Sequence, residues 1–183
     1  MKNTDFTKME LRKFQSGFTL LELLVTMGVV GIVAAIAFAD STELLAEDRA
    51  ENQLQELKRN LSFARAKATT TESRVIVCPL SGSQCSADWT NDDIAVFVDN
   101  NNNNQRDADE PLLRVMKGVI SEDLLSYTGS SPIVYNATGR VGNTQAGTFT
   151  YCPNGVTSES NRDMRLSQSG TALYQGQTTT ECS

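Results

Sequence analysis

Residues 1–16 are polar and end in the basic stretch LRKFQS. From Phe18 the chain turns apolar as FTLLELLVTMGVVGIVAAIAFA, up to Ala39, with Glu22 as its single charge. A helix crosses a bilayer with about 20 apolar residues, so 18–39 is predicted as a transmembrane helix. The basic flank places 1–17 on the cytoplasmic side and the rest of the chain across the membrane. Past Ala39 the polarity changes but the helical period persists. Leu54, Leu57, Leu61, Ala64 and Ala68 recur at helical spacing, and no proline or glycine interrupts from Phe38 to Thr71. One helix is predicted from about Phe18 to about Thr70, apolar all round in its first half and striped in its second, residues 40–71.

From Arg74 the period shortens. VIVC (75–78), IAVFV (94–98), LLRVM (112–116), IVY (133–135) and TFTYC (148–152) are short β-rich runs between polar turns. MRLS (164–167) and ALY (172–174) predict a hairpin across SQSG. The fold class expected is α+β: a long N-terminal helix packed on an antiparallel sheet body, residues 72–183.

Charge narrows the function. The net charge is −6, and residues 1–17 contribute +2, which leaves −8 for the rest. An acidic body disfavours binding to a phosphate backbone, which relies on Lys and Arg releasing counterions. There is no histidine, so the commonest general base and metal ligand is missing. No nucleophile elbow, phosphate loop or metalloprotease motif appears. The acid pairs Asp92-Asp93 and Glu122-Asp123 read as solvated turn residues, so no enzyme is expected. Trp89 reads as a packing residue.

Four cysteines, Cys78, Cys85, Cys152 and Cys182, lie beyond the apolar run. An even number on the far side of a membrane predicts two disulfides, with three connectivities open. Without a C-x-x-C pair or a histidine, zinc is disfavoured.

The loop DNNNNNQRDADE, 99–110, has calcium-loop spacing. Asp99, Asn101, Asn103, Asp107 and Glu110 occupy the oxygen-bearing positions, and Gln105 would add a backbone carbonyl. Calcium is the one cofactor the sequence offers. Against it, the flanks read as strands, and Asn and Asp are common at hairpin tips for their own reasons.

The single charge in the apolar run needs a partner, because an isolated carboxylate in hydrocarbon is costly. The stretch Gly17-Phe18-Thr19-Leu20-Leu21-Glu22-Leu23-Leu24 resembles the class III signal of type IV prepilins and type II secretion pseudopilins. The resemblance implies that a membrane-embedded prepilin peptidase cuts after Gly17, freeing a leader of residues 1–17, and methylates the new amine on Phe18. It also names a partner for Glu22: the Phe18 amine of a neighbouring subunit, which a carboxylate attracts strongly at low dielectric.

Further along, ELKRNLSFARAKA, VIVCPLSGSQCSADW and IAVFVDNNNNNQRDADEPLLRV resemble the FimT/GspH-type minor pilins and pseudopilins, the FimT-like branch most. The resemblance implies a minor pilin of a type IV pilus, first in the inner membrane with a periplasmic body and then in the filament, partnered by other pilin subunits. A GspH-like pseudopilin of type II secretion is the alternative, and a pilus-borne module for DNA or a surface is a third. Within this frame Cys78 is paired with Cys85 across a short turn. Cys152 is paired with Cys182, as a terminal disulfide pins the tail in many pilins. Some FimT-like proteins bind DNA through a Gly-Arg-x-Arg motif. The matching place, Ser167–Leu173, holds uncharged residues here, so Arg140, Arg162 and Arg165 are the remaining DNA candidates.

Overall fold

The computed structural model describes residues 18–153 and 159–182, without the side chains of 37–42. The chain divides into two compact units, residues 1–41 and 42–183.

One helix, α1 (Leu20–Thr71), runs through the first unit and into the second. It starts because Thr19 accepts the N–H of Glu22 on its side-chain oxygen at 3.2 Å, satisfying one of the orphan donors of the first turn. It stops at a run of threonines. Thr69, Thr70 and Thr71 return their hydroxyls to carbonyls of the preceding turn, and Glu72 adopts a left-handed backbone, φ 49°.

In the first unit the side chains from Phe18 to Ile36 are almost all exposed. Among the described residues no helical stretch is long and apolar enough to cross a membrane. The expected span, 18–39, runs past the last described side chain, Ile36.

In the second unit α1 buries one stripe: Ala46, Ala50, Leu54, Leu57, Leu61, Ala64 and Ala68 are at most 2% exposed. The spacings are all three or four residues, which keeps one face inward. Each buried leucine contributes about 2 kcal/mol of transfer free energy.

The body differs from the expected single sheet. It holds two antiparallel sheets, and both pack on that stripe. The first contains β1 (Val75–Ser81), β2 (Gln84–Cys85), β3 (Ile94–Val98) and β4 (Leu112–Met116) in the order β2-β1-β3-β4. The second contains β5 (Leu124–Tyr127), β7 (Gly147–Cys152), β8 (Arg162–Leu166) and β9 (Ala172–Gln177), in the order β5-β7-β8-β9. β6 (Ile133–Tyr135) pairs with β1 in the first sheet.

β1 and β3 read as continuous apolar runs because both their faces are covered. Val75, Val77, Ile94 and Val96 face the helix core, while Ile76, Cys78, Ala95 and Phe97 form a second cluster. β2 and β5 were not expected. The acids before β5, Glu122 and Asp123, are expected as a solvated turn, but Asp123 is 0% exposed. Its carboxylate accepts from Arg49 on α1 and from the Tyr151 hydroxyl on β7.

Trp89 is a packing residue. Its ring sits edge-on to Tyr127 at 5.3 Å and to Phe149 at 4.9 Å, a geometry aromatic quadrupoles favour.

Candidate assembly site and supporting loops

The N-terminal end of α1 carries the processing and assembly residues. Gly17 lies outside the described residues. Phe18 is 81% exposed just ahead of the cap residue Thr19, and Glu22 stands at the third helical position. Thr19-x-x-Glu22 is also the signature of a capping box, a signal carried by the sequence itself. Glu22 thus has a local reason to sit there, since a carboxylate at a helix N-terminus meets the positive end of the macrodipole. Around it, twelve large apolar side chains between Phe18 and Ile36 are more than half exposed. Leu20, Leu21, Leu23 and Leu24 flank the one carboxylate in the sequence and are all more than half exposed.

Two disulfides brace the body. Cys78 on β1 is joined to Cys85 on β2 with Cα atoms 5.5 Å apart, and Cys152 on β7 to Cys182 in the tail with Cα atoms 6.1 Å apart. The second ties the tail across to β5 and β7, whose carbonyls at Leu124 and Thr150 lie against the Cys182 sulfur.

Loop 99–110 is occupied by its own donors. Asp99 accepts the N–H groups of Asn103 and Asn104, and Glu110 accepts those of Asn100 and Asp107. Asp107 takes the side-chain amides of Asn101 and Asn103. Asn102 and Asn104 take left-handed backbone, which asparagine tolerates better than most residues. Arg74, at the foot of β1, supplies the positive charge: its guanidinium lies 3.5 Å from Asp99 and donates to Asn102 and Asn104. Gln105 turns its N–H to Asn103 and bridges Gln84 on the neighbouring strand. Among the described residues no group of three or more acidic or cysteine side chains could hold a metal ion. Asp99, Asp107 and Glu110, three of the residues expected to ligate calcium, accept hydrogen bonds from the loop's own backbone and amides.

The three arginines weighed for DNA have different surroundings. Arg140 is exposed in the turn after β6. Arg162 is tied to Glu47 on α1 at 3.2 Å and to backbone carbonyls of Glu159 and Asn161. Arg165 is exposed on β8, in a groove lined by neutral polar side chains such as Gln168 and Gln175.

Two other acids, Asp88 and Asp93, have partners within the body. Asp88 accepts from Asn91, which holds its carboxyl below the ordinary value. Asp93 lies 2.6 Å from Lys117, whose hydrogen bond lowers its carboxyl likewise.

Residues 53–170 match the family described as type II transport protein GspH, and residues 12–38 match the prokaryotic N-terminal methylation motif. A search of curated proteins finds no match. Among solved structures the chain is similar to the type IV minor pilin FimU of Pseudomonas aeruginosa, with TM-score 0.57 and 19% identity over 70% of this chain and 89% of that one. It is also similar to the minor pseudopilin EpsH of the type 2 secretion system of Vibrio cholerae, with TM-score 0.50 and 11% identity over 70% of this chain and 97% of that one. These likenesses share the helix-then-sheet fold described above. The chain belongs to the GspH family, carries the prokaryotic N-terminal methylation motif, and has the fold of the minor pilin and minor pseudopilin structures it resembles.

Proposed function

We propose that this chain is a minor pilin of a type IV pilus and acts by assembly rather than catalysis. A prepilin peptidase cuts after Gly17 and methylates Phe18. Residues 18–39 anchor the subunit in the inner membrane with its body in the periplasm. The subunit then leaves the bilayer for the filament, where its helix is buried among its neighbours and Glu22 faces a Phe18 amine.

The observation that carries this reading is the exposed apolar helix with one carboxylate near its start. Each of the twelve large side chains gains roughly 1.5–3 kcal/mol on leaving water. That surface has to be covered by lipid or by other helices. Both covers are apolar, so transfer from membrane to filament changes little hydrophobic free energy. The charge pair is then what favours the filament: a lone carboxylate is costly in lipid, and a cationic amine beside it removes that cost. The match to the methylation motif supports a processed, cationic N-terminus.

A pseudopilin of type II secretion is the second reading, supported by the description of the matching family. A clean deletion with complementation separates the two, scoring surface pili by electron microscopy and secretion of an extracellular hydrolase in the same cultures. Loss of pili with normal secretion is the expected result. Intact pili with hydrolase trapped in the periplasm would make the chain a pseudopilin.

A further inference from the structure

The second sheet carries an open groove of about 660 Å³. Small-ligand sites run from roughly 300 to 1,000 Å³. The groove lies between a short 3-10 turn, Asn143–Gln145, and the β8–β9 hairpin turn, 167–171. Ala146 and Gly147 keep its floor low. Thr148 and Arg165 line it because they alternate with Phe149 and Met164, which are buried in the core shared with α1. The groove therefore sits on the face of the sheet turned away from the helix.

Its charge is the reverse of the chain's. The sequence holds 22 acids, and none lines the groove, where Arg165 is the one charged residue. Among the described residues the Arg165 guanidinium has no hydrogen bond or ion pair. The same holds for the side chains of Asn143, Thr148, Gln168 and Gln175. Other arginines of the body are tied down: Arg49, Arg74 and Arg162 each pair with an acid. An unpaired cation among unspent amides and a hydroxyl is complementary to an anion whose remaining surface is uncharged and hydrogen-bonding.

The same lining disfavours other ligands. An extended peptide joins a sheet at an open edge through main-chain bonds. Here the floor strands β7 and β8 are interior and already paired, Gly147 with Leu166 and Thr148 with Arg165. Duplex DNA needs several phosphate contacts, and the groove offers one cation. Single strands stack on aromatic rings, and none lines it. An apolar molecule would meet little besides Ala146 and Leu166.

We propose that this groove binds an acidic polysaccharide through one hexuronate residue. Arg165 holds the carboxylate through its two-pronged fork. Asn143, Thr148, Gln168 and Gln175 take the sugar hydroxyls. The site belongs to the body alone, so it does not depend on which filament the chain joins.

The test is isothermal titration of the detergent-solubilised full chain with tetragalacturonate and, separately, tetramannuronate. The methyl ester of each has the same shape without the charge. Binding of at least one acid is expected, with the ester weaker by about tenfold, the value of one charge-assisted contact. The tighter of the two acids identifies the kind of polysaccharide. Arg165→Gln should weaken binding of the acid by about tenfold and leave the ester unchanged, and Gln175→Ala should weaken both. The urea midpoint should stay the same in both variants, since neither side chain has a partner in the fold. The proposal is overturned if neither acid binds at millimolar concentration, if the esters bind as tightly, or if Arg165→Gln binds like the wild type. Tighter binding of tetraglutamate or of a duplex oligonucleotide than of either acid also overturns it.

Discussion

Arg49 on α1 reaches the carboxylate of Asp123 at 3.3 Å, and the two differ in burial: the arginine side chain is 37% exposed and the aspartate 0%. The hydrogen bond to Asp123 raises the Arg49 guanidinium further above its ordinary value. Removing Arg49 leaves a carboxylate in the core with its positive partner gone, whereas removing the carboxylate leaves an arginine that water can reach. Arg49→Ala is expected to cost about 3 kcal/mol and Asp123→Asn about 1 kcal/mol. Urea unfolding of the detergent-solubilised chain measures both, and the reverse order would show that the buried charge is not what the pair serves.

The pair also shows what the sequence could and could not reveal. The long helix, its buried stripe and most strands are legible because apolar residues recur at helix or strand spacing. Asp123 is not, because the arginine that allows its burial lies 74 positions away. An acid pair before Leu124 looks like a turn until that partner is known, and β5 stays hidden with it. The Asn-rich loop shows the same limit. Its spacing fits calcium, and only the fold brings Arg74 to its centre.

Alkali should unfold the body early. Burial pushes the hydroxyls of Tyr127, Tyr135 and Tyr151 above their ordinary value. The folded state therefore keeps protons that the unfolded state releases from about pH 10. The contribution is whole below that pH and is lost as the pH rises beyond it. The urea midpoint should fall progressively as the pH rises above about 10. Tyr135→Phe, which removes a hydroxyl donating to Gly170 at 3.3 Å, should soften the fall. A flat profile would contradict the burial argument.

Removing the two disulfides should have unequal effects. Their cysteines are 7 and 30 residues apart. In the chain-entropy account the short loop is worth about 2.5 kcal/mol and the long one nearly 4 kcal/mol. Paired Cys→Ala variants, unfolded in urea, should show the larger loss for Cys152 with Cys182. An equal or smaller loss there would mean that the tail is held without its disulfide.

Calcium should leave the body unchanged. A ligand that binds only the folded state raises the melting temperature, and in loop 99–110 the carboxylates of Asp99, Asp107 and Glu110 accept internal donors, with Arg74 beside Asp99. The melting temperature should be the same in millimolar calcium and in chelator, while Arg74→Ala should lower it in both. A rise with calcium would restore the loop as a metal site.

The central claim is that Glu22 acts after processing, by pairing with a neighbour's N-terminus. Its most direct test is Glu22→Ala in the full chain, with immunoblots of the membrane and of sheared filaments from the same cells. The account predicts a membrane band at the processed size and little or none in the filaments. Wild-type amounts of the variant in the filaments would contradict it.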